Sequence, residues 1–439
     1  MEYLVGIDWS NQSHQVEIQS ADGELEKKSR YSASGSELYE LRDDLLQLVD
    51  QADELKVGLE DPSRPVVRVL LEAGMEVFIL TPQKVDAARP MYSEAGVKDD
   101  ELDAHIICDE LRVHRNVFYR LVPRRPVIAA LSEYHRAIED AKSDVNRLAN
   151  RLREKLRDYF PQFLDLEWEL TSRVMLDLLE LIPAPSSVAS VTLQEVDEVL
   201  GRCRKHSAEE VIDILSGSSP PLEKRLAESI AEVASSVAER LRHAVGAEQT
   251  WEERLIDLLE AISEQQKSGE LPSAHRTHSD GETDPSAVCS DSEEDDTPAV
   301  SDVEIALSTK GVGVRTVAGL FAEGFQSLVT LDREMLRRQS IAPVTEQTGR
   351  QSAGEGGPDP WVRRRYARNR YLNDVMHQLG DSLQRQNGHY RSRYVKMRDK
   401  NHTHGRSCRQ ITDQYLRVLF AMLRDRSTYD PSLHGATRR

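Results

Sequence analysis

Cysteine is scarce in this chain of 439 residues: Cys108, Cys203, Cys289 and Cys408 are its only four. No two of them form a Cys-x-x-Cys pair that would hold zinc, and four scattered thiols build no disulfide framework, so reduced cysteines are expected. Long hydrophobic runs are missing as well. No stretch of about 18 apolar residues exists, which excludes a helical membrane span. The first residues alternate at once (Tyr3-Leu4-Val5-Gly6-Ile7) without a basic and then apolar leader, so no secretory signal and a cytoplasmic location are expected. Positive charge is in deficit, with 57 Lys and Arg against 75 Asp and Glu and a formal charge of -18, an average that argues against a nucleic-acid partner. What remains, 39% hydrophobic and 30% charged residues, is a globular composition long enough for two or three domains.

The charge is unevenly spread. Between Trp361 and Arg409 thirteen cations face only Asp374, Asp381 and Asp399, a net of about +10 by count. Five of them, Arg363, Arg364, Arg365, Arg368 and Arg370, fall within eight residues, with Trp361 and Tyr366 available for stacking on bases. The acidic average thus hides a basic stretch suited to a phosphate backbone. Part of the acidic excess sits in Ser268 to Val300, which is rich in Ser, Asp, Glu, Thr, Pro and Gly. Too little apolar surface exists there to offset chain entropy, and a disordered acidic insert over 268–300 is expected.

Along the first 80 residues the periodicities predict three strands in a meander (residues 3 to 8, 14 to 19 and 24 to 31). A helix follows on Leu38, Leu41, Leu45 and Val49, then a short strand from Leu55 ending in Glu60. Pro65 opens another helix that Gly74 stops, and Val77 to Leu80 form a fifth strand. Meander followed by strand-helix alternation gives a mixed sheet covered by helices, the ribonuclease H-like order. Asp8 and Glu60 then stand at ends of adjacent strands. If Asp100 opens the next helix, Asp103 shares its face, and packing that helix across the sheet edge gathers four carboxylates. Such a cluster needs cations, and two Mg2+ ions about 4 Å apart neutralise it while activating a nucleophile and stabilising a leaving oxygen. Spacing alone equally allows Asp8 and Glu60 to be caps and Asp100 to Asp103 a charged helix start.

From Leu131 the pattern Tyr134, Ile138, Ala141, Val145, Leu148, Leu152, Leu156 and Tyr159 is heptad-like, predicting a long helix that Pro161 ends. A helical region over about 164–181, a small helical insert over 191–215 and a long helix over 222–266 follow. The last is long enough to return along the first as an antiparallel coiled coil. Beyond the acidic insert, Gly311-Val312-Gly313 predicts a tight turn between helices whose amides could face a phosphate.

Gly6-Ile7-Asp8, Leu59-Glu60, Thr81-Pro82 and Lys98-Asp99-Asp100-Glu101-Leu102-Asp103-Ala104 together resemble the DEDD-type transposases of the IS110 insertion-sequence family, to which the Piv DNA invertases also belong. The likeness continues through Asn146-Arg147-Leu148, Phe160-Pro161, Gly311-Val312-Gly313, Ala342 to Gly349 and Arg365-Tyr366-Ala367-Arg368-Asn369. It implies a RuvC-like catalytic domain (1–120), a coiled-coil region (121–267), the insert (268–300), a mainly helical C-terminal transposase domain (301–425) and a tail (426–439). It also implies a homo-oligomer, dimer or tetramer, with a composite active site acting on DNA under a structured guide RNA, nucleoid-associated when acting. By position Asp8, Glu60, Asp100 and Asp103 become the Mg2+ ligands, and the family's nucleophilic serine falls on Thr348. Threonine carries a hydroxyl that a base or metal activates, with a methyl that restricts its rotamer; Ser340 and Ser352 are the neighbouring hydroxyls. Lys310 stands where the family usually has proline, and the Gly-rich Ser352 to Pro360 segment lengthens the loop after Thr348.

Two other classes remain open from the residues. A transposase relic that binds nucleic acid without cutting it is compatible with Thr348. An actin-like kinase is compatible with Gly6-Ile7-Asp8-Trp9-Ser10, but it requires a later Asp-x-Gly-Gly loop that the chain lacks.

Overall fold

The computed structural model describes residues 1–62, 64–93, 99–115, 118–201, 205–274, 300–346, 361–364 and 368–433. The chain divides into two units, Met1–Arg125 and Pro126–Arg439.

In the first unit, β1 (Tyr3–Trp9), β2 (Ser13–Ser20) and β3 (Leu25–Ser32) form the antiparallel meander. The Ser10 hydroxyl holds the first turn by donating to the Ser13 carbonyl at 2.7 Å, and Gly23, at φ +88, makes the second. Then come α1 (Gly35–Leu46), capped by the Ser34 hydroxyl, β4 (Leu55–Leu59), α2 (Pro65–Glu72), β5 (Glu76–Ile79), α3 (Pro82–Tyr92), α4 (Asp100–His114) and β6 (Tyr119–Arg120). Pro65 sits at the start of α2, and Gly74, at φ +86, turns the chain after it.

The sheet runs β3-β2-β1-β4-β5-β6. β1, β4 and β5 are mutually parallel and the other pairings antiparallel, an α/β arrangement. Because strand side chains alternate, Val5, Ile7, Val16, Ile18, Val57, Leu59 and Val77 share one face. They form a core with Leu38, Leu41 and Leu45 of α1 and Val66, Val67 and Leu70 of α2. The other face carries Leu4, Gly6, Gly58 and Phe78, and α4 covers it through Cys108 and Leu111.

The second unit is helical. It contains α5 (Pro126–Tyr159), α6 (Gln162–Asp165), α7 (Arg173–Leu181), α8 (Leu193–Leu200), α9 (Ala208–Leu215) and α10 (Lys224–Lys267). Then come α11 (Asp302–Leu307), α12 (Val314–Val329), α13 (Arg333–Gln339), the hairpin of β7 (Pro343–Glu346) and β8 (Trp361–Arg364), α14 (Arg370–Gln386), α15 (Gly388–Asp399) and α16 (His404–Arg424). α5 and α10 run antiparallel: Val145, Leu148, Leu152 and Leu156 of α5 share a core with Ala234, Val237 and Leu241 of α10, while Leu131 and Ile138 share one with Leu255, Leu259 and Ile262. The C-terminal helices share the second of these cores.

Two expectations shift. The helix expected over 164–181 is interrupted, because Glu167 takes φ +54 and Ser172 caps a new helix through the Met175 amide. The acidic insert begins later than Ser268: Leu271 and Ala274 are buried, and the Ala274 amide donates to Asp302 at 2.9 Å. Residues 275–299 lie outside the described residues. Among the described residues no helix is long and apolar enough to cross a membrane.

Candidate active site and nucleic-acid interface

Asp8 lies on β1 and Glu60 follows β4 directly. The parallel register pairs Tyr3 with Leu55 and Gly6 with Gly58, so Asp8 and Glu60 each stand two residues past the last pair, level with one another. By alternation they point to the face of Gly6 and Gly58. On that face a Cβ at Gly6 would lie 2.1 Å from the Ala104 carbonyl oxygen and 2.6 Å from the Cys108 amide, and one at Gly58 2.8 Å from Ile107 Cγ2. The glycines are thus the reason α4 can lie against the strands. Ala104 over Gly6 puts the preceding turn, with Asp100 and Asp103, toward the end of the sheet that bears Asp8 and Glu60.

Asp99 caps α4 by accepting from the Glu101 amide, and acidic groups in the first turn suit the positive end of the helix dipole. Asp100 is exposed and Asp103 is buried. Arg89 of α3 holds Asp103 with both forks, Nε to Oδ1 at 3.0 Å and Nη2 to Oδ1 and Oδ2 at 2.9 and 3.0 Å. That carboxylate raises the guanidinium pKa further, and Asp86 adds to it. Beside this edge, Glu17 of β2 meets His105 of α4 at 2.6 Å. Burial pushes the Glu17 carboxyl up, but bonds from His105, Gln19 and Lys28 outweigh it and leave the pKa below the usual value.

Sequence reasoning missed Arg89 and His105. The only available signal was that each is a polar residue beside apolar core positions, Val85 and Ala88 in one case and Ala104 and Ile106 in the other.

Thr348 and Ser352 lie outside the described residues. The segment carrying them starts and ends at neighbouring points, since Glu346 pairs with Trp361. Ser340 is buried and its hydroxyl donates to the Leu336 carbonyl at 2.7 Å.

Of the basic run, Arg363 and Arg364 lie on β8, Arg365 is outside the described residues, Arg368 is half-buried and Arg370 is exposed at the start of α14. Asn369 between them caps α14 and donates to Glu323 of α12 at 2.7 Å. Glu323 in turn is gripped by Arg136 of α5 at 2.8 and 3.0 Å. The broader basic surface is α15, where Arg391, Arg393, Lys396 and Arg398 are all exposed while Tyr390 anchors the helix in the core. The Gly311 turn, at φ +96, packs on α14, with Ser382 donating to its carbonyl at 2.7 Å.

Residues 5–161 match a transposase family of the DEDD IS110 type. Over 201 residues, 45% of this chain, the sequence is 34% identical to "Putative transposase y4uE" of Sinorhizobium fredii, and the match spans 56% of that relative's length. Over 97% of this chain it is 25% identical to "Mini-circle putative transposase for IS117" of Streptomyces coelicolor, covering 94% of that protein. The family match spans the strands and helix that carry Asp8, Glu60, Asp100 and Asp103, and over residues 5–161 the chain is similar to transposases of the IS110 type.

Proposed function

We propose that this chain is a metal-dependent DNA transposase that cuts and rejoins DNA with a carboxylate centre and the hydroxyl of Thr348. The level register of Asp8 and Glu60, with the first turn of α4 drawn toward the same sheet end by Gly6 and Gly58, carries the reading. A donor set of four carboxylates fits Mg2+, which prefers hard oxygen ligands. Asp8, Glu60, Asp100 and Asp103 would hold two ions, which when bound stabilise the attacking and leaving oxygens of a phosphodiester. Arg89 orients Asp103 through both of its oxygens. Thr348 attacks the phosphorus, its proton passes to solvent or a neighbouring base, and the displaced sugar oxygen leaves as a hydroxyl. The resulting phosphothreonyl-DNA bond keeps the energy needed for rejoining.

In this reading residues 1–120 form a ribonuclease H-like, RuvC-like domain, 121–267 an antiparallel coiled coil, and 301–425 the C-terminal transposase domain. Arg363, Arg364, Arg365, Arg368 and Arg370, with the cations of α15, take the phosphate backbone of DNA and of a guide RNA. A dimer or tetramer brings one subunit's Thr348 to another's carboxylates.

The test is cleavage of supercoiled DNA bearing the element's ends, with Mg2+ and RNA transcribed from the flanks of the gene. Asp8→Ala and Glu60→Ala should lose both the cut and the covalent protein-DNA product; full cleavage by either variant sinks the carboxylate site. A second reading, a relic that binds but does not cut, is favoured by the Arg89 clamp on Asp103. It predicts DNA retention without Mg2+-dependent cleavage by the wild-type protein.

A further inference from the structure

α14 and α16 cross at Gly380, where a Cβ would lie 2.5 Å from the Cys408 carbonyl and 2.6 Å from the Thr412 hydroxyl. This close approach sets Asp381 of α14 beside His404 and Cys408 of α16, which are four residues apart on one helix face. One ligand atom from each of the three lies within 4.8 Å of the others. We propose that Asp381, His404 and Cys408 form a transition-metal site of the zinc class that ties α14 to α16, separate from the carboxylate centre and independent of the transposase reading.

The distances fit. Two donors on a tetrahedral zinc, one sulfur at about 2.3 Å and one nitrogen at about 2.0 Å, stand roughly 3.5 Å apart. Cys408 Sγ is 3.6 Å from His404 Nε2, and His404 Nε2 is 3.7 Å from Asp381 Oδ1. The donors are also supported from behind, as metal ligands require. Tyr394 of α15 meets His404 Nδ1 at 2.9 Å, which leaves Nε2 for the metal. Arg385 holds the other oxygen of Asp381 at 2.8 Å. His377, one turn before Asp381 on α14, has its ring centroid 5.9 Å from that of His404, and solvent completes the coordination of an ion held by the three donors. Thiolate and imidazole select zinc over magnesium. Cys408 is fully buried and His404 half-exposed, so the ion enters from the histidine side. Binding converts the Cys408 thiol to a thiolate and releases one proton to the buffer. Cys108 offers no parallel, since its thiol donates to the Leu4 carbonyl at 3.2 Å.

The experiment is titration of chelator-stripped, full-length protein with Co2+ in excess Mg2+, which keeps the carboxylate centre supplied with its preferred ion. One equivalent should bind with tetrahedral visible absorption and a thiolate-to-cobalt charge-transfer band, both displaced by Zn2+. Cys408→Ser should lose the charge-transfer band. Since Cys408 is in the core, His404→Gln provides a surface variant that keeps the helices, checked by circular dichroism, and should weaken Co2+ binding more than about tenfold. A wild-type protein without the band overturns the proposal. So does a band that persists in Cys408→Ser, or unchanged Co2+ affinity in folded His404→Gln.

Discussion

Arg89 closes on both oxygens of Asp103, at 2.9 Å to Oδ1 and 3.0 Å to Oδ2. It is the cation that balances this carboxylate, and Asp103 is only 3% exposed. Arg89→Gln strands a buried charge and should cost about 3 kcal/mol without metal. Mg2+ should recover more stability in Arg89→Gln than in wild type, because the ion then balances Asp103 alone. Denaturant unfolding with and without Mg2+ reads this directly; equal Mg2+ stabilisation in both proteins would mean that Asp103 is not a ligand.

Gly6 and Gly58 are unequal. The atoms that a Gly6 Cβ meets at 2.1 and 2.6 Å are backbone, whereas the one meeting Gly58 at 2.8 Å is the side-chain methyl Cγ2 of Ile107. Gly6→Ala should push α4 off β1, destabilise by about 3 kcal/mol or more and abolish cleavage, while Gly58→Ala should cost roughly 1–2 kcal/mol. Paired urea melts and cleavage assays rank the two, and a harmless Gly6→Ala contradicts the packing.

Thr348 carries the hydroxyl assigned to attack. Thr348→Ser should match or exceed wild-type cleavage, having no methyl to crowd the approach, and Thr348→Ala should form no covalent DNA adduct. An adduct in Thr348→Ala, mapped by proteolysis and mass spectrometry, moves the nucleophile elsewhere.

Glu323 links three elements, taking both forks of Arg136 and the Asn369 amide. Its side chain is fully buried. Glu323→Gln should destabilise the fold by about 3–5 kcal/mol, the cost of leaving a partly buried guanidinium without its counter-charge. DNA binding should fall as well, since Asn369 sits between Arg368 and Arg370. An unchanged urea midpoint refutes the linkage.

His135 is buried beside Gly319, and among the described residues its Nε2 lacks a hydrogen-bond partner. Burial lowers its pKa; Glu323 and Glu139 oppose this, while Lys142 and Arg136 add to it. With the folded value below 6.5, the unfolded chain takes up the proton first. The contribution is therefore intact above about pH 6.5 and is lost as pH falls below it. His135→Leu should flatten the decline of stability between about pH 7 and pH 5 relative to wild type. His14, whose pKa burial also lowers despite Glu37, stays in both proteins and leaves a residual slope. An identical slope in the two proteins rules out His135.

Local rules made the strands and helices legible. Alternation placed β1, β2 and β4, Pro65 and Gly74 bounded α2, and α4 begins at Asp100 behind its Asp99 cap. The same rules overextended one helix, because the hydrophobic spacing runs past Glu167 while the backbone turns there. They also placed the start of the acidic insert too early, since a polar average does not register the burial of Leu271 and Ala274.

The sequence by itself determined the order of elements and the basic stretch, because periodicity, caps and charge act over a few residues. Only the tertiary structure decided that Asp8 stands level with Glu60, that Ala104 rests on Gly6, that Arg89 grips Asp103 and that Asp381 meets His404 and Cys408. Each of these joins different strands or helices, and which side chains meet there is set by register and by the distance at which elements pack, neither of which a local pattern encodes.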